Sequence, residues 1–160
     1  MIILELLITI SCDRIMFDCG IAEKGVKDGL KYSLEYWAAL DKMVSTSEIV
    51  IDRPKGTRHP KYPAILYEVD YGYLKDTTSM DGDGIDVWKG TDAKQEIDAI
   101  ICVVDLLKKD SEIKILIGCT EIEKEKICCL HNNSEYMKGM LIRRKPEFYC
   151  KLTNHRVKGF

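Results

Sequence analysis

The 160 residues hold 24 Lys and Arg against 26 Asp and Glu, a net charge of −2, with 46% hydrophobic and 31% charged residues. One domain is the expectation at that length, and folding buries roughly 70% of the unfolded surface, enough for a core without disulfide staples. The charge balance excludes a strongly basic nucleic-acid binder and an acidic disordered tail as defaults.

Residues 1–10, MIILELLITI, are the one long apolar run, and it is too short to span a bilayer. It carries Glu5, lacks a preceding positive residue and runs into Ser11-Cys12-Asp13-Arg14, which does not make a signal peptide. The run reads as a buried strand or helix of an N-terminal extension, residues 1–34, with a weak export signal as the alternative. That extension is either a packing or partner segment, or sequence upstream of a functional chain that starts near Glu35. Tyr36, Trp37, Leu40, Met43 and Val44 recur at helical spacing and predict an amphipathic helix over 35–45. A short strand over 49–51 leads into a turn at Arg53-Pro54-Lys55-Gly56. Apolar, β-branched runs at 85–88, 97–104 and 113–117 predict three more strands. Thr120 with Glu123 forms a capping-box pattern that opens a helix over 121–131. A last short strand is expected at 140–142, and 146–160 reads as a loosely packed tail. The predicted class is α+β, mainly β, without the βαβ alternation of a doubly wound sheet.

There are seven cysteines, at 12, 19, 102, 119, 128, 129 and 150, and no CxxC pair. An odd number with two adjacent members suits neither a zinc knuckle nor a disulfide framework. Free thiols in a reducing compartment, the cytoplasm, are the expectation.

The small net charge conceals segregation. Residues 53–61 contain Arg53, Lys55, Arg58, His59 and Lys61 and no acid. Residues 68–86 contain Glu68, Asp70, Asp76, Asp81, Asp83 and Asp86 against Lys75. Lysine and arginine in a tight turn suit phosphate oxygens. Clustered carboxylates repel one another unless a cation neutralises them, and Mg²⁺ bridges carboxylates to phosphates. Within Asp81-Gly82-Asp83-Gly84-Ile85-Asp86, glycines let the backbone bend so that three carboxylates can converge. An EF-hand fails on these letters, because Ile85, Asp86 and Asp92 stand where the loop needs a ligand, a Gly and a Glu. A dinucleotide GxGxxG fails at Val87, and no GxxxxGK[ST] occurs.

These residues resemble the type I soluble inorganic pyrophosphatases. Asp81 to Val87 matches that family's D-x-D-x-[apolar]-D-[apolar] motif. Tyr67-Glu68-Val69-Asp70-Tyr71-Gly72-Tyr73 resembles its Y-P-x-N-Y-G-Y run, and Ile49-Val50-Ile51-Asp52-Arg53-Pro54 its V-x-I-E-x-P strand. The resemblance spans about 48–118, more loosely to 143, and sets a pyrophosphatase-like domain at 35–145. It implies an OB-like five-stranded barrel with flanking helices, and hydrolysis of inorganic pyrophosphate with two or more Mg²⁺ ions. It implies Asp81, Asp86, Asp52, Asp110 and Glu112 as metal ligands, and Asp83 as the carboxylate that orients or deprotonates the attacking water. Tyr71 and Lys61 would be catalytic phosphate contacts, with Arg58 and Lys114 also binding substrate. Homo-oligomers are expected of the family; nucleic acid and membrane are not expected as partners.

The chain departs from the family in ways that bear on binding. The family's hairpin between the lysine and the tyrosines is deleted, with Lys61 only six residues before Tyr67, and its arginine has no counterpart other than Arg58. Asn132-Asn133 replaces a C-terminal Tyr-Lys pair, after His131, which is expected to interact with the helix dipole. Two other functions compete: a non-catalytic Mg–phosphate or nucleotide-binding module on the same fold, and an OB-fold nucleic-acid binder. The second needs a basic, aromatic sheet face, and the acidic cluster speaks against it.

Overall fold

The computed structural model describes residues 20–79 and 82–144, and of residues 20–28 and 30 it describes the backbone only. The chain divides into two compact units, Met1–Ala39 and Leu40–Phe160. Helix α1 is Gly20–Ser45, and helix α2 is Glu121–Asn132. The strands are β1 Ile49–Arg53, β2 Asp70–Leu74, β3 Ile85–Lys89, β4 Ile97–Asp105, β5 Asp110–Ile117 and β6 Met137–Arg143. No helix among the described residues is long and apolar enough to cross a membrane.

The strands form one mixed sheet in the order β1-β2-β3-β5-β4-β6. The class is α+β, mainly β, as the residues predict. The sheet has six strands rather than five, and its edges β1 and β6 are not paired with each other, so it is not closed. The strand that the apolar runs do not predict is β2, and the expected last strand, β6, pairs with β4 over its full length, from Ala99↔Arg143 to Asp105↔Met137. Neighbouring strands are antiparallel except β3 and β5, which run parallel with Val87 beside Ile115.

Side chains alternate between faces along each strand. One face carries Tyr71, Trp88, Ala99, Ile101, Val103 and Leu116, which cluster with Ile127 of α2. These residues are almost wholly buried, and each large apolar side chain removed from water contributes about 1.5–3 kcal/mol. Gly72 is dictated by backbone contact: a Cβ there would run into the Val50 carbonyl oxygen and Ile51 Cα of β1. The pairing Ile51↔Gly72 therefore requires glycine.

Polar anchors fix the elements around the sheet. The capping box is present: the Thr120 hydroxyl accepts from Glu123 N, and Glu123 Oε2 accepts from Thr120 N at 2.9 Å. Glu123 also accepts from the Thr91 hydroxyl at 2.9 Å, tying the loop after β3 to the start of α2. Lys124, buried, donates to Asp98 and to Glu121. Arg144 makes a bidentate pair with Asp41 of α1, at 2.7 and 2.8 Å, and so ties the last turn of α1 to the end of β6. Cys102, Cys119, Cys128 and Cys129 are free thiols, and burial first, then Glu123 and Asp98, pushes the Cys119 thiol up to about 12.

Candidate functional site

Register brings the predicted residues to one place. Asp86 precedes Val87 and Lys114 precedes Ile115, so the parallel pairing of β3 and β5 sets Asp86 beside Lys114. The antiparallel pairing Tyr71↔Trp88 and Tyr73↔Asp86 brings β2 alongside. Alternation along β5 puts Glu112 on the same face as Lys114. The Lys114 ammonium, with its side chain 5% exposed, donates to Asp86 Oδ2, to Glu112 Oε1 at 2.5 Å and to the Tyr71 hydroxyl at 3.2 Å. A buried ammonium is tolerated because its partners neutralise it and accept its hydrogens. Two carboxylates around one ammonium leave one negative charge in excess.

Burial first, then the Asp86 carboxylate that it hydrogen-bonds, pushes the Tyr71 phenol far above its ordinary value. Tyr71 thus keeps its proton and remains a donor. Its ring stacks on Tyr67 at 5.5 Å between centroids and meets the edge of Trp88 at 4.6 Å. Arg53 lies over both tyrosines, 5.0 Å from the Tyr71 centroid and 5.8 Å from that of Tyr67, and donates to the Tyr67 hydroxyl at 3.3 Å. The sequence presents Arg53 only as one of a run of basic residues. Its place beside Tyr71 depends on a register shift in β1, which no composition signal marks.

The remaining predicted residues sit elsewhere. Asp52 is exposed, and Arg53 Nε lies 3.7 Å from its carboxylate. Asp110 shares the face of Glu112 on β5 but lies one pleat further on, where it accepts from Ser111 N at 2.6 Å. Asp83 is exposed in the loop between β2 and β3; Gly82 beside it takes φ +88°, a bend that favours glycine. Asp81 lies outside the described residues. Residues 56–67 form a short hairpin, closed by Gly56 N to Tyr67 O at 2.7 Å and Tyr67 N to Thr57 O at 2.9 Å. Arg58 spends one nitrogen on the Pro63 carbonyl at 2.7 Å, inside that hairpin. Lys61 is exposed near its tip, with its ammonium 5.5 Å from the Tyr62 ring centroid. No hydrogen bond or ion pair joins Arg58 or Lys61 to the Lys114 cluster among the described residues.

Much of the acidic run is committed to other partners. Glu68 pairs with Lys126 at 2.7 Å, and Asp70 accepts from Lys55 N at 2.7 Å. Among the described residues no group of three or more His, Cys, Asp and Glu gathers to hold a metal. Asp52 and Asp110 are therefore not gathered with Asp86 and Glu112 among the described residues. Among the described residues Asp86 and Glu112 are brought together, as hard oxygen donors around one cationic position with their side chains 23% and 16% exposed. Mg²⁺ is commonly held by one or two carboxylates, with water and substrate phosphate completing its shell, so this donor pair fits it.

His131 departs from the dipole reading. It is buried against the edge of Trp88, with Nδ1 3.2 Å from Met137 Sδ and, among the described residues, no hydrogen-bond partner for Nε2. Burial first, then Lys114, lowers its pKa to about 3, so it is neutral and offers the helix terminus no charge. The unfolded histidine takes a proton near 6.5. As pH falls below 6.5 the unfolded chain binds a proton that the folded chain refuses until about 3, so stability is lost progressively across that window. Urea unfolding from pH 6.5 to 4 is expected to show a loss of about 1 kcal/mol per pH unit from this residue. His131→Phe should flatten the slope by that amount; an unchanged slope would assign the acid sensitivity to carboxylates. Asn132, after it, is structural: its amide donates to Gly139 O and accepts from Gly139 N, joining α2 to β6.

No family model matches the sequence, and no curated protein matches it. Solved structures similar to the chain include three inorganic pyrophosphatases. An inorganic pyrophosphatase from Neisseria gonorrhoeae has a TM-score of 0.47 at 15% identity, with 69% of this chain and 88% of that one covered. One from Coxiella burnetii has 0.46 at 13% identity, covering 60% and 84%. One from Helicobacter pylori has 0.44 at 14% identity, covering 69% and 90%. These three solved structures to which the chain is similar are bacterial inorganic pyrophosphatases.

Proposed function

We propose that the chain hydrolyses a phosphoric anhydride, inorganic pyrophosphate, with Mg²⁺ as cofactor. The observation that carries this reading is the meeting of Tyr71, Asp86, Glu112 and Lys114. Of these four residues, singled out by their resemblance and drawn from three separate strands, Tyr71, Asp86 and Glu112 converge on the ammonium of Lys114. A catalytic unit at 35–145, acting in the cytoplasm, accords with the free thiols.

Mg²⁺ held by Asp86 and Glu112 would neutralise phosphate charge and acidify a bound water. Everything else falls to the protein's own groups. Lys114 moves from the carboxylates to a non-bridging phosphate oxygen, where its charge opposes the negative charge that builds up. Tyr71 donates its retained proton to a second oxygen. Asp83, on its exposed loop, accepts a hydrogen from the attacking water and orients it. Lys55, Arg58 and Lys61 on and beside the exposed hairpin attract the anion from solution.

Asp86→Asn tests the ligand assignment. The Mg²⁺ concentration for half-maximal phosphate release should rise about tenfold, the loss of one charged contact. An unchanged Mg²⁺ titration would remove Asp86 from the ligands. A second reading, an Mg–phosphate binding module without turnover, is favoured by one observation: the Lys114 ammonium already pairs with both carboxylates.

A further inference from the structure

We propose that Arg53 supplies the guanidinium that binds a phosphate oxygen of the substrate at this site. This rests on reading the Lys114 cluster as a phosphoanhydride site, and it adds a binding residue that the sequence resemblance does not contain.

Strand register decides which residue of β1 faces the site. Ile51 stands opposite Gly72. Uninterrupted pairing would put Asp52 opposite Tyr71 and send Arg53 to the other face of the sheet. The register instead shifts between Ile51 and Arg53, and Arg53 stands opposite Tyr71. One extra residue in β1, a β-bulge, therefore brings a cation onto the face that holds Asp86, Glu112 and Lys114. The bulge falls at the site rather than at the far end of the strand, as bulges that re-aim a side chain do.

The geometry suits an anion. Arg53 and Lys114 flank the same ring, with Arg53 Cζ 5.0 Å and Lys114 Nζ 5.6 Å from the Tyr71 centroid. Stacking on two tyrosines and the bond to the Tyr67 hydroxyl hold the guanidinium in place, which lowers the entropy lost on binding. Its side chain is 32% exposed, so a ligand can reach it. Arginine has five donors in a planar fork. Tyr67 takes one, and Nε faces Asp52 across 3.7 Å, a loose pair at an exposed position. The rest of the fork can meet two phosphate oxygens. The cluster of Asp86, Glu112 and Lys114 carries an excess negative charge and by itself repels such a ligand; Arg53 is the cation next to it. Arg58 cannot take this part as it stands, because it braces the hairpin through Pro63.

The test is calorimetric binding of methylenediphosphonate, which is not hydrolysed, in excess Mg²⁺, with thermal unfolding recorded for every variant. Arg53→Met should weaken binding about tenfold or more, the value of a charge-assisted contact. Arg53→Lys should fall between, because it keeps the charge and loses the fork. Arg143→Gln, which removes the same charge from a residue paired with Glu121, should bind like the wild type. Binding by a folded Arg53→Met protein within about twofold of wild type overturns the proposal, since a charge-assisted contact is worth more than that. If Arg53→Met does not unfold cooperatively, Arg53→Lys decides, and wild-type binding there overturns it. Failure of the wild type itself to bind the diphosphonate overturns both this proposal and the phosphoanhydride reading; loss confined to Arg53 variants supports both.

Discussion

Lys114→Met is expected to lower the free energy of unfolding by about 3 kcal/mol and to abolish phosphate release. The ammonium is almost wholly buried and holds three groups at once: Asp86, Glu112 and the Tyr71 hydroxyl. Removing it leaves two carboxylates facing each other with no cation between them. Breaking a buried pair in this way costs about 3–5 kcal/mol. The lower end applies because both carboxylates retain some solvent. The same charge imbalance gives a second readout. With the lysine gone, a divalent cation can take its place between the two carboxylates, so Mg²⁺ should raise the melting temperature of Lys114→Met more than that of the wild type. An equal Mg²⁺ shift in both proteins would show that Asp86 and Glu112 do not hold the ion.

Asp83→Asn is expected to leave the fold intact and to reduce turnover by about 100-fold or more, the range for loss of a positioned general base. Asp83 is exposed, so its replacement by an isosteric amide buries nothing and opens no cavity. The loop is held by its backbone rather than by the carboxylate alone: Ser79 N donates to the Asp83 carbonyl at 2.7 Å, and Ile85 N to the Thr77 hydroxyl at 2.9 Å. An unchanged melting temperature with lost turnover places Asp83 in the chemistry. Turnover like that of the wild type excludes Asp83 as the water-orienting group and moves that role to another carboxylate.

The fold is legible where strands bury continuous apolar runs. β3 and β4 lie within a residue of the runs at 85–88 and 97–104, and Thr120 with Glu123 opens α2 as its capping box predicts. The differences elsewhere have physical causes. β5 begins at Asp110, not at 113, because its first half places Asp110, Glu112 and Lys114 on the site face and so looks polar. β2 reads as a motif but not as a strand, since Gly72 and the tyrosines give it no apolar run. α1 starts at Gly20 rather than 35, because Gly25 and Gly29 interrupt the pattern that would mark it. At the site, the spacing of Asp86 is informative, and its meeting with Lys114 requires the parallel pairing of β3 and β5. Arg53 is not legible as a site residue, because a bulge changes which residue of β1 faces Tyr71. The state of His131 follows from burial, which no local pattern reveals.

Pyrophosphate hydrolysis is tested most directly by ³¹P NMR of inorganic pyrophosphate incubated with the purified full chain and Mg²⁺, beside a matched sample with chelator. The expected result is that the pyrophosphate resonance is replaced by that of inorganic phosphate, two phosphates for each pyrophosphate, and that chelation stops the conversion. A pyrophosphate signal that persists unchanged with Mg²⁺ present would contradict hydrolysis and leave a binding module in its place.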